Sequence, residues 1–317
     1  MEEQNTNWER KLLETLASES LVEQRRKRRW GIFFKSLGFF YVGVLILMLV
    51  GMAIPKGLEV SRHTALVELN GEIASGSLSS ADRINASLQA AFENKDSAGV
   101  VLRINSPGGS PVQAGLIYQE IKRLREKYPE KLLYAVVEEL CASGGYYVAA
   151  AADKIVVNQA SLVGSIGVIM DGFGFTDTMK KLGVERRLII AGENKAFLDP
   201  FSEQNAYQTE FAKQMAGEIH AQFVAAVKAG RGERLKSNPE VFSGLIWTGQ
   251  RSVEMGLADE VGSLESVARD QFKAEEILDY TEHESFAERF AKRVGVQFGS
   301  GLKSVFPSAA SHVIGFR

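Results

Sequence analysis

One apolar run near the N-terminus limits what this chain can fold into more than any other feature. From Trp30 to Ile54 the sequence is apolar except for Lys35 and a few small or polar uncharged residues. The part from Leu37 to Ile54 carries no charge and is long enough for a transmembrane helix. A cleaved signal peptide is the competing interpretation, but its apolar core would be shorter and would begin close to residue 1. The sequence therefore predicts one membrane anchor over residues 30–54.

The charges beside this run predict its orientation. The basic sequence RRKRR occupies positions 25–29, whereas Lys56 and Glu59 follow the run. Basic flanks of a membrane span stay in the cytoplasm. We therefore expect the N-terminus to be cytoplasmic and everything from about residue 56 to lie on the other side of the membrane.

Charge and cysteine content exclude several function classes. The net charge of −2 is unlike the basic excess of nucleic-acid-binding domains. The single cysteine cannot form an internal disulfide, and no cluster has the spacing of zinc ligands. The four histidines are scattered outside the glycine-rich centre of the chain, so a histidine-based triad has few candidates.

Beyond the apolar run, strand patterns alternate with helix patterns. Predicted strands cover 64–69, 99–104, 132–137 and 154–157, and predicted helices cover 81–93, 112–128 and 207–227. Such alternation is typical of parallel pairing and predicts an α/β fold. Apolar residues at every fourth position of the last helix predict a packed stripe, either within the domain or between subunits.

Two glycine-rich turns follow predicted strands. INSPGGSPVQAG comes after the strand at 99–104, and CASGGYYVAAAADKI comes after the strand at 132–137. Glycines permit positive φ and close backbone approach, and the N–H groups of such a turn can bind phosphate or an oxyanion. The second turn holds Cys141 and Ser143. Its residues alone leave open whether either is a nucleophile or whether the turn only packs into a core.

Five motifs in order make the chain similar to a known family. They are LRINSPGGSPVQAG, ASGGYYVAAAADKI, ASLVGSIGVI, GVERRLIIAGENKAFLDPFS and FSGLIWTGQRSVEMGLADEVG. Over about residues 64–265 they resemble the signal peptide peptidase A group of peptidase family S49, in its short, single-domain bacterial form. The resemblance implies a ClpP/crotonase-like α/β fold behind the N-terminal transmembrane helix. The implied divisions are a cytoplasmic segment (1–29), the anchor (30–54), the serine peptidase domain (55–272) and a C-terminal tail (273–317).

The resemblance also implies a site. The family's serine–lysine dyad falls on Ser143 as nucleophile and Lys195 as general base, and its oxyanion hole falls on Gly109 and Gly144. Ser165 occupies a position that can hydrogen-bond the lysine amine. The residue chemistry agrees, because a serine hydroxyl needs a neighbouring base and a lysine accepts a proton only as the neutral amine, which burial favours.

Cys141 is the competing nucleophile, and two features speak against it. A catalytic thiolate usually needs a histidine or another positive partner, and no histidine lies nearby in sequence. An exposed thiol outside the cytoplasm would also be open to oxidation. We therefore expect Cys141 to be a small, buried, apolar side chain.

The reaction implied by the resemblance is peptide hydrolysis through an acyl-enzyme, without metal, nucleotide or organic cofactor. The implied partners are remnant signal peptides or other membrane-associated peptides, membrane lipid around the anchor, and further copies of the chain in a homo-oligomeric ring, but no nucleic acid. The implied location is the bacterial inner membrane, with the catalytic domain on the periplasmic side. Apolar substrates would need an apolar wall beside the nucleophile. The sequence offers residues near Pro111 and Val112 for it, together with Val163, Ile166, Val168 and Ile169.

Two other functions remain as alternatives. A crotonase-type acyl-CoA enzyme would also use paired backbone N–H groups, but it favours a cytosolic domain and acidic catalytic residues. A catalytically silent membrane scaffold is the second alternative, and the presence of both Ser143 and Lys195 argues against it.

Overall fold

The computed structural model describes residues 2–53 and 62–283, with side chains described over 23–48 and 62–283. The chain divides into two units, residues 1–60 and 61–317. Ile54, at the end of the predicted anchor, and residues 284–317, which make up most of the predicted C-terminal tail, lie outside the described residues.

The first unit contains one long helix, α1 (Glu2–Ala53). Its segment Glu23–Met48 is long and apolar enough to cross a membrane, with a mean hydropathy of 1.9, and it is the one such helix in the described part of the chain. Large apolar side chains such as Phe39 and Leu47 are exposed within this unit. The prediction of an apolar helix in this part of the chain is confirmed.

The second unit is built on one eight-stranded sheet. Its strands are β1 (His63–Asn70), β2 (Ser97–Ser106), β3 (Leu133–Ala142), β4 (Lys154–Val157), β5 (Leu162–Gly164), β6 (Ile246–Thr248), β7 (Glu260–Val261) and β8 (Ile277–Asp279). The main order is β6-β5-β3-β2-β1-β8, while β4 pairs with β3 and with β7. All described pairs are parallel except β5 with β6. The predicted α/β fold is confirmed.

Helices connect and cover these strands. They are α2 (Ala81–Glu93), α3 (Pro111–Lys127), α4 (Gly144–Ala149), α5 (Thr176–Leu182), α6 (Ala206–Arg231), α7 (Gly249–Glu254) and α8 (Leu264–Ser266), with short 3₁₀ turns at Gly232–Arg234 and Pro239–Phe242 and a π turn at Val267–Gln271. The predicted helix at 81–93 and strand at 154–157 are confirmed at the same residues, and the other predicted elements of the second unit are confirmed with ends that differ by one to five residues.

The central strands are apolar almost throughout because both faces of the sheet are covered. On β2, Val100 and Ile104 point into the larger core, which α2 and α3 complete. Val101 points to the opposite face and packs in a second cluster with Val267 and Phe272. Because β2 and β3 are parallel neighbours, their C-terminal ends, which carry the two glycine-rich turns, lie at the same edge of the sheet.

β3 is longer than the sequence pattern predicted. The apolar pattern ended at residue 137, but β3 continues to Ala142. Pairing explains the extension, because Leu140–Ala142 lie in parallel register with Leu162–Gly164 of β5. As a result Cys141 belongs to the strand, and the helix begins only at Gly144.

The C-terminal end of α6 is held firmly to the sheet. The buried Arg231 guanidinium donates to both carboxylate oxygens of Asp259, at 2.8 and 2.9 Å. Burial alone would raise the pKa of the Asp259 carboxyl, but hydrogen bonds and the charge of Arg231 lower it below its usual value. The predicted stripe on α6 is buried only at this end, at Phe223 and Val227, whereas Tyr207 near the other end is exposed.

Candidate active site

The turn between β3 and α4 holds Ser143 in a strained backbone conformation. Its φ of 50° and ψ of −122° lie where residues with a Cβ are rarely found. The surroundings impose this strain, because the Ser143 N–H donates a 2.9 Å hydrogen bond to the Gly164 carbonyl of β5. The side chain is half-buried, and its hydroxyl makes no hydrogen bond to the helix that follows. The hydroxyl therefore stands on a fixed turn.

The glycine-rich turn after β2 is pressed against Ser143. Ile73 fixes this turn, since its N–H donates to the Gly108 carbonyl at 2.8 Å and its carbonyl accepts from the Ser110 N–H at 2.7 Å. A Cβ added at Gly108, where φ is +99°, would lie 2.6 Å from the Gly144 nitrogen and 2.8 Å from the Ser143 Cβ. Only glycine permits this approach. Contact with the Ser143 turn thus explains why position 108 of this turn is a glycine.

The turn at Gly108 and the turn at Ser143 meet in a corner, here called the Ser143 corner, where two backbone N–H groups have no acceptor. A Cβ added at Gly144 would lie 3.3 Å from the Gly109 nitrogen, so the two turns are in contact here. Within residues 62–283, neither the Gly109 N–H nor the Gly144 N–H donates a hydrogen bond. Paired donors beside a serine hydroxyl are suited to hold the negative oxygen that forms when the hydroxyl attacks a carbonyl.

Ser165 lies at the same corner. It follows Gly164, whose carbonyl holds the Ser143 N–H, and its own N–H donates to the Leu245 carbonyl at 2.8 Å. Its φ of 53° is a second positive value at a non-glycine residue. The structure thus brings together four of the five residues predicted for the site, all except Lys195.

A histidine also lies near this corner, although the sequence spacing did not indicate it. His220 on α6 is half-buried, and its Nε2 lies 3.2 Å from the carbonyl oxygen of Ile166, 54 positions away in the chain. No motif joins the two residues in sequence. Only the course of α6 past Ile166 places this imidazole one residue beyond Ser165.

Lys195 lies in a different environment. It belongs to residues 169–205 between β5 and α6, here called the lysine segment, in which α5 is the only helix. The Lys195 side chain is exposed, and in the described part of the chain its ammonium makes no hydrogen bond or ion pair, whereas its backbone N–H donates to Gly192 at 3.1 Å. The dry environment expected for a lysine base is not present around Lys195 in a single chain.

The lysine segment exposes an unusual number of large apolar side chains. Among them are Ile169, Phe173, Leu182, Val184 and Ile189, which are 83%, 77%, 73%, 54% and 96% exposed. Exposed apolar surface of this kind is typical of a surface that contacts another molecule.

Two predictions about apolar side chains have different outcomes. The expectation that Cys141 is buried is confirmed, and this burial raises the pKa of its thiol. The predicted apolar wall beside the nucleophile is wrong for Val163 and Ile166, because both are fully buried in the main core. Val168 is half-buried, and Ile169 and Val112 are exposed, so these side chains of the predicted wall could contact a substrate.

No residue predicted for the site lines the cavity of about 510 Å³ on the second face of the sheet. Arg103, Glu138 and Glu265 lie in its wall, and Arg103 pairs with Glu68 and with Glu138. Among the residues that the structure describes, no group of three or more His, Cys, Asp or Glu side chains could hold a metal ion. The chemistry open to the Ser143 corner itself is that of a hydroxyl and two backbone donors.

Comparison with known proteins identifies what the chain is similar to. The sequence model of "Peptidase family S49" matches residues 125–277. "Putative protease slr0021" of Synechocystis is 32% identical over 211 residues, which cover 67% of this chain and 74% of that protein. "Serine protease SPPA, chloroplastic" of Arabidopsis thaliana is 31% identical over 193 residues, or 60% of this chain and 28% of that protein.

A further relative carries a name of another kind. "Na(+)/H(+) antiporter NhaA" of Brucella abortus is 42% identical over 215 residues, which cover 66% of this chain. The matched region is only 29% of that protein's length. The similarity therefore concerns a part of that protein, and its name describes the whole.

Proposed function

Because the chain belongs to peptidase family S49, we propose that it is a membrane-anchored serine endopeptidase with Ser143 as nucleophile. The observation that carries this proposal is the pair of N–H groups, of Gly109 and Gly144, which have no acceptor among the described residues and lie beside the strained Ser143 turn. These groups are the oxyanion hole of the proposed site. They are held by backbone contacts, so they need no rearrangement when charge develops on the substrate.

The proposed reaction has two halves. Ser143 Oγ attacks the carbonyl carbon of a peptide bond while its proton passes to Lys195 Nζ, and the carbonyl oxygen becomes an oxyanion held by Gly109 and Gly144. The C–N bond then breaks, the lysine returns the proton to the leaving amine, and an acyl ester remains on Ser143. Water, deprotonated by the same amine, attacks the ester carbonyl carbon. The bond from this carbon to Ser143 Oγ breaks, the lysine returns the proton to Oγ, and the acid is released.

Lys195 has to be shielded from water before it can act as a base. The Lys195 side chain is exposed, and removal of water from a lysine favours the neutral amine that can take a proton. The apolar side chains of the lysine segment supply a surface that would exclude water once another molecule covers it. We propose that a second copy of the chain is that molecule, in a homo-oligomeric ring, and that Ser165 then accepts a hydrogen bond from the amine.

The same proposal covers the rest of the chain. The α/β unit is assigned to the ClpP/crotonase-like type, with residues 55–272 as the peptidase domain, 1–29 as the cytoplasmic segment, 30–54 as the anchor and 273–317 as a tail. β8 shows that residues 277–279 of this last segment also pair with the sheet.

We further propose that the peptidase domain lies outside the cytoplasm, on the periplasmic side of a bacterial inner membrane. The basic run at 25–29 supports this orientation. Remnant signal peptides or other membrane-associated peptides are then the substrates within reach. An alkaline phosphatase fused after residue 317 should be active, because this reporter works only outside the cytoplasm, and an inactive but expressed fusion would contradict the orientation.

A fluorophosphonate probe tests the catalytic proposal. The full chain in detergent should be labelled on Ser143 and should hydrolyse a leucine-rich peptide, and Ser143→Ala should lose both properties. Cys141→Ala, two residues away and buried, is the matched control and should keep both. A silent scaffold or an acyl-CoA enzyme would give no peptide hydrolysis, and hydrolysis that survives Ser143→Ala would reject Ser143 as the nucleophile.

A further inference from the structure

Trp247 carries a buried hydrogen-bond donor without a partner beside the proposed site. It is the central residue of β6 and lies opposite Val163 of β5 in antiparallel register. Its neighbours Ile246 and Thr248 are exposed, whereas Trp247 is half-buried against the main core. Its indole Nε1 is closed off from solvent and makes no hydrogen bond within residues 62–283.

A donor in this position is costly unless something accepts from it. An indole N–H that is buried usually has a hydrogen-bond partner, and a buried donor without one costs about 1–3 kcal/mol. Because solvent does not reach Nε1, neither bulk water nor a substrate in the open site can be the acceptor. A protein atom that is already close is therefore the candidate acceptor.

Contacts at Gly164 show which atoms are close. A Cβ added at Gly164 would lie 2.9 Å from the Leu245 oxygen, 3.1 Å from Trp247 Cδ1 and 3.7 Å from Trp247 Nε1. The edge of the indole therefore faces the residue whose carbonyl holds the Ser143 N–H. Trp247 and the Ser143 turn lie on the two sides of one glycine.

The acceptors in this small space can be compared one by one. The Gly164 carbonyl accepts from the Ser143 N–H, and the Leu245 carbonyl accepts from the Ser165 N–H. Each oxygen has a second lone pair, but neither accepts from the indole N–H, and backbone hydrogen bonds hold both in place. The Ser165 hydroxyl, one residue beyond Gly164, has no hydrogen bond in the described part of the chain. The Ser143 hydroxyl has none to its own helix, but it stands on the other side of Gly164 as the proposed nucleophile. A serine hydroxyl rotates about χ1 and has two lone pairs.

We propose that Trp247 is a positioning residue whose indole N–H donates to Ser165 Oγ in the working enzyme. This inference rests on the proposed function, in which Ser165 contacts the Lys195 amine. With one lone pair of Oγ occupied by the indole, the second faces the amine and accepts one of its N–H groups. The nitrogen lone pair of Lys195 then remains directed at the Ser143 proton. Trp247 thus acts on the reaction through Ser165 and does not touch the substrate.

A double-mutant cycle tests this assignment. Trp247→Phe keeps an aromatic ring against Gly164 but removes the N–H, and Ser165→Ala removes the acceptor. With the full chain in detergent and one fluorogenic peptide, Trp247→Phe should lower kcat about tenfold with KM changed less than twofold, as expected for the loss of one oriented hydrogen bond. In the Ser165→Ala background the same change should have no further effect on kcat.

The contrary results are equally specific. A tenfold loss from Trp247→Phe in both backgrounds would mean that Trp247 acts by packing alone, and an unchanged kcat in the single variant would remove it from the site. Trp30→Phe is the control, because it removes an indole N–H from an exposed position in the first unit and should leave kcat unchanged.

A spectroscopic measurement separates this inference from the proposed function and does not require Trp247→Phe to fold. In the full chain labelled with ¹⁵N-tryptophan, Ser165→Ala should shift one of the three indole N–H resonances, because its acceptor is lost, whereas Ser143→Ala should not. Identical indole spectra for the wild type and Ser165→Ala would overturn the hydrogen bond. Peptide hydrolysis by Ser143→Ala would instead overturn the proposed function, and it would leave the indole result valid.

Discussion

The two parts of the proposed dyad lie in regions of opposite character. Around Ser143, the turn after β2, the turn after β3 and the end of β5 meet closely. A Cβ at Gly108 would clash with the Gly144 nitrogen and the Ala142 oxygen. Around Lys195, the chain runs mostly in turns, the ammonium is exposed and has no partner in the described part of the chain, and apolar side chains such as Ile189 face solvent.

This difference shows which part of the chemistry a single chain can provide. The nucleophile and the oxyanion donors depend on backbone geometry, which the parallel sheet sets by ending β2 and β3 at the same edge. A neutral lysine depends on exclusion of water, and the isolated chain does not exclude water from Lys195. A single chain therefore holds Ser143 and the two oxyanion donors in position, but it does not shield Lys195 from water.

The largest effect on kcat should come from a change at the exposed Lys195. Lys195→Arg keeps the positive charge but provides no base, because guanidinium does not lose its proton, and kcat should fall by roughly 10³-fold. Since the Lys195 side chain contacts so little, thermal unfolding of the variant should match the wild type. Lys181→Arg, at another exposed lysine of the same segment, is the control and should keep its activity. Near-normal turnover by Lys195→Arg would remove Lys195 from the role of base.

A matched pair of glycine substitutions should separate the two regions next. Gly108 and Gly183 both have positive φ, +99° and +69°, but a Cβ at Gly108 meets three atoms within 3 Å while one at Gly183 meets nothing within 4 Å. Gly183→Ala should cost only the backbone strain, about 1 kcal/mol. Gly108→Ala must also displace the Ser143 turn, so it should lower the free energy of unfolding by roughly 2–4 kcal/mol and kcat by about 10²-fold.

Chemical denaturation followed by tryptophan fluorescence, together with kcat on one peptide, measures both effects in both variants. Equal losses of stability would mean that the turn after β2 is not pressed against Ser143 as closely as the structure has it. A Gly108→Ala variant with normal kcat would show that the Ser143 corner tolerates displacement.

Local patterns were sufficient to predict most of the fold. The apolar stretch of β1 and the spacing of Ile84 and Leu88 in α2 are both local signals, and both elements were confirmed. The extension of β3 to Ala142 could not be predicted, because it depends on pairing with β5, twenty residues further along the chain. Val163 and Ile166 were placed at the surface for a similar reason, since a short apolar stretch does not reveal which face it buries.

The candidate site divides in the same way. Ser143, Gly109 and Gly144 stand in turns directly after strands, where the sequence can be matched to a family and the sheet brings the turns together. Trp247 and His220 reach the same corner from β6 and α6. No spacing in the sequence connects them to Ser143, because their positions are set only by antiparallel pairing and by helix packing.

The smallest effect should come from a change in the exposed apolar surface of the lysine segment. If copies of the chain pack on the lysine segment, then Ile189→Lys places a charge in an apolar contact, where it loses hydration without a partner. Ile189 is 96% exposed in the single chain, so the fold itself should not change. Sedimentation velocity in detergent should show a shift toward smaller species, and kcat should fall about tenfold because Lys195 stays in contact with water.

Leu78→Lys makes the same chemical change at a side chain that is 53% exposed and lies outside the lysine segment, so it should leave both assembly and kcat at wild-type values. Raising the protein concentration should restore part of the activity of Ile189→Lys by mass action, whereas a defect within a single chain would not respond. If Ile189→Lys remains assembled and fully active, the apolar surface of the lysine segment does not provide the cover, and Lys195 has to lose its water in another way.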